Sequence, residues 1–210
     1  MLKRIFDILV SILALVIISP LFIIVALAEK VSGEEVFFKQ ERVGQNLRTF
    51  WIYKFTTMPK GSEKLGSITT INDRRLTKLG RFLRKYKINE LPQLLNVIKG
   101  EMSFVGPRPL LKEHAEIYDE DVRKKIYSVK PGLTGWGSIH FHQEDIEMDK
   151  LESKEEKEKF YREVIMPKKA ELELWYVENR SILLDIKIII LTALRFVNRS
   201  SRSNRQQREV

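Results

Sequence analysis

Two short stretches hold residues suited to chemistry on a phosphate. Lys87-Ile88-Asn89-Glu90-Leu91-Pro92-Gln93 sets one carboxylate beside an amide, and Gly106-Pro107-Arg108-Pro109 holds one guanidinium between two prolines. The guanidinium fork matches phosphate oxygens, and the prolines reduce the entropy lost in fixing Arg108. Arg81 and Arg84 lie in a basic amphipathic stretch, Leu76 to Lys85, whose Leu76, Leu79, Phe82 and Leu83 share one face. Their guanidinium groups are suited to phosphate, and equally to a lipid headgroup surface.

These residues need a frame. Asn89 is a natural N-cap and Gly100 a natural stop, so the pattern predicts a helix over Glu90 to Lys99 with Asn89 and Glu90 at its anion-favouring N-terminus. Val36 to Gln40 and Phe50 to Phe55 read as strands of a hairpin about the Gly44-Gln45-Asn46 turn. Met58 to Asn72 reads as a loop, and Glu144 to Lys159 as a solvated charged segment. Phe160 to Arg180 regains helical spacing, with Trp175 and Tyr176 suited to a membrane-interface belt. Ser181 caps a last apolar helix, Ile182 to Val197, interrupted by Asp185, Lys187 and Arg195, which favours lying in the interface or against the domain. Asp73 and Glu101 are candidate metal ligands or salt-bridge partners. His140 and His142 would share a face if their segment were a strand, but without a third ligand they read as solvent-exposed residues.

The uncharged run Ile8 to Ala28 would rise about 31 Å as one straight helix, the thickness of a bilayer's hydrocarbon core. Pro20 removes a helix hydrogen bond in its middle, and the Ser19 hydroxyl can serve the group so freed. Lys3 and Arg4 before the run and Lys39, Arg42, Arg48 and Lys54 after it pull both ends to the cytoplasmic side, which favours a re-entrant element bending at Ser19-Pro20. A straight signal anchor, or a signal peptide cleaved after Ala26-Leu27-Ala28, are the alternatives. The chain has no Cys, so no disulfide framework, and 37 Lys and Arg against 28 Asp and Glu give a formal charge of +9. That charge calls for an anionic partner such as phosphorylated substrate or acidic lipid. No nucleic-acid module is present, and such binding would leave the apolar run unexplained.

The ordered set Lys3-Arg4-Ile5-Phe6-Asp7, the run with Ser19-Pro20, Gln40 to Gly44, Tyr53-Lys54-Phe55, Asp73 through Thr77 to Gly80-Arg81-Phe82-Leu83-Arg84, Glu90-Leu91-Pro92-Gln93, Gly106 to Pro109, Lys130 to Gly135 and Trp175 to Asn179 resembles the small monotopic phosphoglycosyl transferases of the bacterial sugar transferase family. The resemblance runs over nearly the whole chain. It implies a cytoplasmic-face site on the bacterial inner membrane. There a sugar-1-phosphate passes from a UDP-sugar to polyprenyl phosphate, with magnesium as cofactor and UMP released. It also implies that an Asp-Glu pair does the chemistry, with Asp the nucleophile and Glu a lesser partner; Lys54, Arg81, Arg84 and Arg108 are the candidate substrate-binding residues beside it.

The position matching that Asp is Asn89, whose amide carries no charge and cannot replace a carboxylate as nucleophile; Glu90 alone keeps an acid there, as catalytic group or metal ligand. Lys54-Phe55-Thr56 stands where the family has Lys-Phe-Arg, and Gly137 to His142 where it commonly has Asn-Gly-Arg. Two readings follow. One is an active transferase that uses Glu90 or direct attack by the acceptor. The other is a non-catalytic homologue, a pseudoenzyme, that binds nucleotide sugar or a partner of a glycan-assembly complex; a homodimer is open under both. The expected fold is α/β and mostly helical: a kinked re-entrant membrane helix over 1–30, a domain over 31–197 with a short β-hairpin and interfacial amphipathic helices, and a basic disordered tail over 198–210.

Overall fold

The structure is a computed structural model describing residues 1–62, 73–141, 147–148 and 150–206, with side chains as far as Arg195. His142 and most of the expected loop over 58–72 lie outside the described residues.

Helix α1, Leu2–Val31, is long and apolar enough to cross a membrane. It stays helical through Pro20, and the Ser19 hydroxyl donates to the Val16 carbonyl at 2.8 Å, the acceptor that a proline at position 20 leaves without its helical donor. Both ends of α1 are fastened to the rest of the chain. Near the start, Arg4 donates to the Val97 and Ile98 carbonyls, Lys3 pairs with Asp185 at 2.6 Å, and Asp7 accepts from the Ser103 hydroxyl at 2.8 Å. Toward its end, Phe22 meets Phe55 at 4.8 Å between ring centroids, and Val25 is buried with Phe55 and Leu83. Between these anchors Leu9, Leu13, Val16 and Ile17 are exposed.

The expected hairpin forms from β1, Phe37–Val43, and β2, Thr49–Phe55, antiparallel with Phe38 opposite Lys54 and Gln40 opposite Ile52. Helix α2, Lys78–Lys85, begins two residues later than Leu76 because Thr77 caps it, accepting from the Gly80 N–H at 2.8 Å. The next helix departs from expectation. Asn89 is not an N-cap: it lies in a 3-10 turn, Ile88–Glu90, and α3 spans only Gln93–Lys99 behind Pro92. Pro92 would be the third residue of a helix started at Glu90 and lacks the N–H that an Asn89 cap would accept from there, so the first turn stays tight. The stop at Gly100 holds, in the left-handed region at φ 91°.

A second small sheet, not foreseen, pairs β3, Ser103–Val105, in parallel with β4, Gly132–Thr134. It interlocks two glycine motifs: a Cβ on Gly132 would lie 2.1 Å from the Gly106 nitrogen, and one on Gly135 2.2 Å from the Gly106 carbonyl oxygen. Next to it lie the short helices α4, Lys112–Ala115, α5, Glu120–Ile126, and α6, Trp136–His140. The last of these makes the His140 segment helical rather than extended; His140 is exposed, its Nδ1 2.8 Å from the Trp136 carbonyl.

The charged segment yields α7, Lys154–Phe160, opened by a Ser153–Glu156 capping box. A π-turn, Tyr161–Ile165, leads into α8, Met166–Asn179. Helix α9, Ile182–Gln206, runs past the expected end at Val197 and is capped by Ser181, which accepts from the Leu184 N–H. Trp175 is half-exposed as expected of a belt residue, but Tyr176 is core: its hydroxyl donates to the Val105 carbonyl and to Asp185, which is buried as well. Leu183, Ile186, Ile190 and Leu194 form an exposed apolar stripe along α9.

Candidate active site

Five separated segments meet around a cleft of about 850 Å³. Strand β1 brings Gln40 and Arg42 on one face by the two-residue period, and β2 brings Lys54. Helix α2 brings Arg84, the 3-10 turn brings Asn89 and Glu90, and the stretch after β3 brings Arg108. Asn96 of α3 locks hairpin to turn. It accepts from the Tyr53 N–H at 3.1 Å and donates to the Trp51 carbonyl at 2.8 Å, filling the free edge of β2 beside Lys54. Lys87, left-handed at φ 53°, ends the path from α2 and turns Asn89 and Glu90 toward the cleft. For a non-glycine residue that conformation costs roughly 1 kcal/mol.

Glu90 is the electrostatic centre. Arg108 donates to its Oε1 at 2.9 Å and the Lys54 ammonium stands 3.7 Å from the same oxygen. Burial pushes this carboxyl up, but Arg108, Lys54 and Lys87 outweigh it and hold it well below the usual carboxylate range. Lys54 moves the other way. Burial, reinforced by Arg42, Arg108 and Arg84, brings it down to about 7 against the pull of Glu90. Burial and Arg108 likewise bring Arg42 down to about 10. Arg84 donates from Nε to the Thr57 hydroxyl at 3.0 Å, and Gly80 allows this approach because a Cβ there would lie 2.1 Å from the Thr57 carbonyl oxygen. Asn89 is buried, and its Oδ1 has no hydrogen-bond partner. The arrangement suits a substrate with two adjoining phosphates: clustered cations, one fixed carboxylate and a wall of hydroxyls from Thr56 and Thr57.

Residues 1–199 match the family model described as bacterial sugar transferase. The chain belongs to the bacterial sugar transferase family. It is 40% identical to the uncharacterized sugar transferase EpsL of Bacillus subtilis, over 91% of this chain and 85% of that protein. It is 38% identical to the UDP-glucose:undecaprenyl-phosphate glucose-1-phosphate transferase of Escherichia coli, over 96% of this chain. With the UDP-N-acetylgalactosamine-undecaprenyl-phosphate N-acetylgalactosaminephosphotransferase of Aeromonas hydrophila it shares 34% identity over 90% of this chain. The chain spans about two fifths of the length of these last two relatives.

Of the site residues expected for this family member, Lys54, Arg84, Asn89, Glu90 and Arg108 line the cleft together. Arg81 does not; it is exposed on α2, outside the lining. Ser19 and Pro20 sit within α1, away from the cleft. Asp73 is clamped by Arg75 through both carboxylate oxygens, and Glu101 accepts from Asn96, so each has a structural partner. Among the described residues no three His, Cys, Asp or Glu side chains converge as a metal site. Sequence reasoning missed Arg42, Lys169 and Glu173. Lys169 and Glu173 lie one turn apart on α8, both buried, and only the placing of α8 beneath Arg108 distinguishes Glu173 from Glu171 nearby. Burial pushes Glu173 up to about 7 against the pull of the Arg108 N–H and Lys169.

Proposed function

We propose that this chain transfers a sugar-1-phosphate from a UDP-sugar to a polyprenyl phosphate, releasing UMP, at the cytoplasmic face of a bacterial inner membrane. The observation that carries the reading is the cleft carboxylate Glu90 clamped by Arg108 and Lys54 among further cations; the two transferases named above supply the substrate classes.

A carboxylate held so firmly ionised is a weak base and a weak nucleophile. Glu90 therefore acts by position and charge, and the acceptor phosphate attacks the donor directly. An acceptor oxygen forms a bond to the β-phosphorus while the bond from that phosphorus to the bridging oxygen breaks, and UMP leaves with the electron pair. Arg108, Lys54 and Arg84 neutralise the diphosphate as charge moves to the leaving oxygen.

The Glu90 carboxylate and the unpartnered Asn89 Oδ1 are hard oxygen donors, a set that fits magnesium shared with substrate phosphates. Bound there, the ion would add positive charge at those phosphates. For the membrane seat, the support is that α1 is fastened at both ends to one body of the protein while its middle is apolar and exposed. That suits dipping into one leaflet side better than crossing. The α9 stripe and Trp175 suit an interfacial position beside it.

The test is UMP release from a panel of UDP-sugars with undecaprenyl phosphate and magnesium. Wild type is expected to release UMP only when the acceptor is present, and Glu90→Gln to lose about 10²-fold or more. Stoichiometric UMP from donor alone would replace direct attack by a covalent route. Silence across the panel with donor binding intact would overturn the transferase reading itself.

A further inference from the structure

The stretch Gly106-Pro107-Arg108-Pro109 has a backbone problem. Pro107 and Pro109 have no N–H, so the Arg108 amide is the only main-chain donor between Gly106 and Leu110. The bonds that hold the main chain of the stretch include these four. Two are backbone to backbone: Gly106 N–H to the Thr134 carbonyl at 3.0 Å, and Gly132 N–H to the Pro107 carbonyl at 2.8 Å. The other two fall on Arg108 itself and come from side chains. Its N–H donates to Glu173 Oε1 at 3.2 Å, and the Tyr127 hydroxyl donates to its carbonyl at 3.5 Å. The guanidinium of the same residue donates to Glu90.

We propose that Glu173 is a positioning residue for the transfer: its buried carboxyl fixes the Arg108 main chain and thereby the point where the guanidinium meets Glu90 and the donor's diphosphate. This rests on the transferase reading above.

The surroundings are built around that carboxyl. Glu173 is only 4% exposed, and a Cβ on Gly137 would fall 2.6 Å from its Oε1, so the turn into α6 passes close only because it carries no side chain. Its Oε2 is buried without a partner. A packing role alone would be served at lower cost by an apolar side chain, since burying an unpaired polar atom is unfavourable. What an apolar residue could not supply is the acceptor for Arg108. The acceptor persists whether the carboxyl is charged or neutral, so its titration near 7 does not release the main chain.

The experiment is a double-mutant cycle on the whole chain, read as kcat and KM for the UDP-sugar of the panel that wild type turns over and, separately, as UDP-glucose affinity by calorimetry. Glu173→Met is expected to lower kcat about tenfold or more with the fold retained, the loss expected of a catalytic group displaced by a fraction of an ångström. Glu173→Gln, which keeps an oxygen acceptor, is expected to restore kcat to within about threefold of wild type. In an Arg108→Ala background Glu173→Met should cost nothing further, because the two act as one unit. Full kcat in Glu173→Met, no rescue by Gln, or an equal loss with and without Arg108 would each overturn the proposal. If Glu173→Met does not fold, Glu173→Ala serves in the same cycle. If wild type turns over no member of the UDP-sugar panel, the transferase reading has failed, and the same cycle in UDP-glucose affinity still decides whether Glu173 acts through Arg108.

Discussion

Donor affinity should depend on pH through Lys54. Its ammonium is brought down to about 7 in the free cleft, so it is charged below that pH and neutral above it. A bound diphosphate favours the charged form, so the complex titrates higher than the free protein, and donor binding takes up a proton in the interval between. The sign follows: affinity is full below pH 7 and is lost as pH rises. Between pH 6 and pH 8 the charged fraction falls from about nine tenths to about one tenth, so Kd should rise about tenfold, equivalent to about 1.4 kcal/mol. UDP-glucose is the right probe because its diphosphate diester does not titrate in this window. Calorimetry at pH 8 in buffers of different ionisation enthalpy should show close to one proton taken up per donor. Lys54→Arg keeps its charge throughout and should flatten the profile. Glu173 also titrates near 7, so Glu173→Gln is the control and should leave the slope in place. A flat wild-type profile, or the same slope in Lys54→Arg, would refute the assignment.

Four more outcomes are expected. Gly80→Ala puts a methyl 2.1 Å from the Thr57 carbonyl oxygen and forces α2 outward by about 1 Å, an overpacking cost of about 1–3 kcal/mol; an unchanged melting temperature would contradict it. Arg84→Ala should weaken UDP-glucose binding about tenfold and Arg81→Ala less than twofold, because only Arg84 lines the cleft; equal effects in calorimetry would refute that placement. Asp7→Ala leaves the Phe104 N–H without its acceptor and the Ser103 hydroxyl with the Val105 carbonyl alone, and thermal unfolding in detergent should show a loss of about 1–3 kcal/mol. The chain has no native cysteine, so Leu2→Cys and Ser32→Cys can each be labelled alone; both should react from the cytoplasmic side, and opposite sidedness would mean that α1 crosses.

The elements that local rules govern were legible. The hairpin, the Gly100 stop, the Ser181 cap and the Ser19 rescue at Pro20 each follow from residues a few positions apart. The 3-10 turn at Asn89 was not, because proline at position 92 competes with an otherwise good capping pattern. The β3–β4 pairing was illegible for another reason: strands of three residues in parallel depend on glycine contacts between segments some thirty residues apart in the chain, and no periodicity marks them. In the site, Glu90 and Arg108 stood out by residue type and setting. Tyr176 and Asp185 looked like belt and interruption until contacts with the distant Val105 and Lys3 tied the bonded pair into the core. Arg42, Lys169 and Glu173 had no local signature, because their roles come from which helix or strand face the fold turns toward Arg108.

Together these features crowd positive charge into one part of the cleft. Arg42, Lys54, Arg84 and Arg108 crowd around one carboxylate, and the depressed values of Arg42 and Lys54 record that crowding. Glu90 cannot balance it alone, since two cations already share a single oxygen. A diphosphate brings two charges to the point where they are lacking, whereas a neutral sugar brings none. The cleft therefore discriminates by charge before any sugar contact is made.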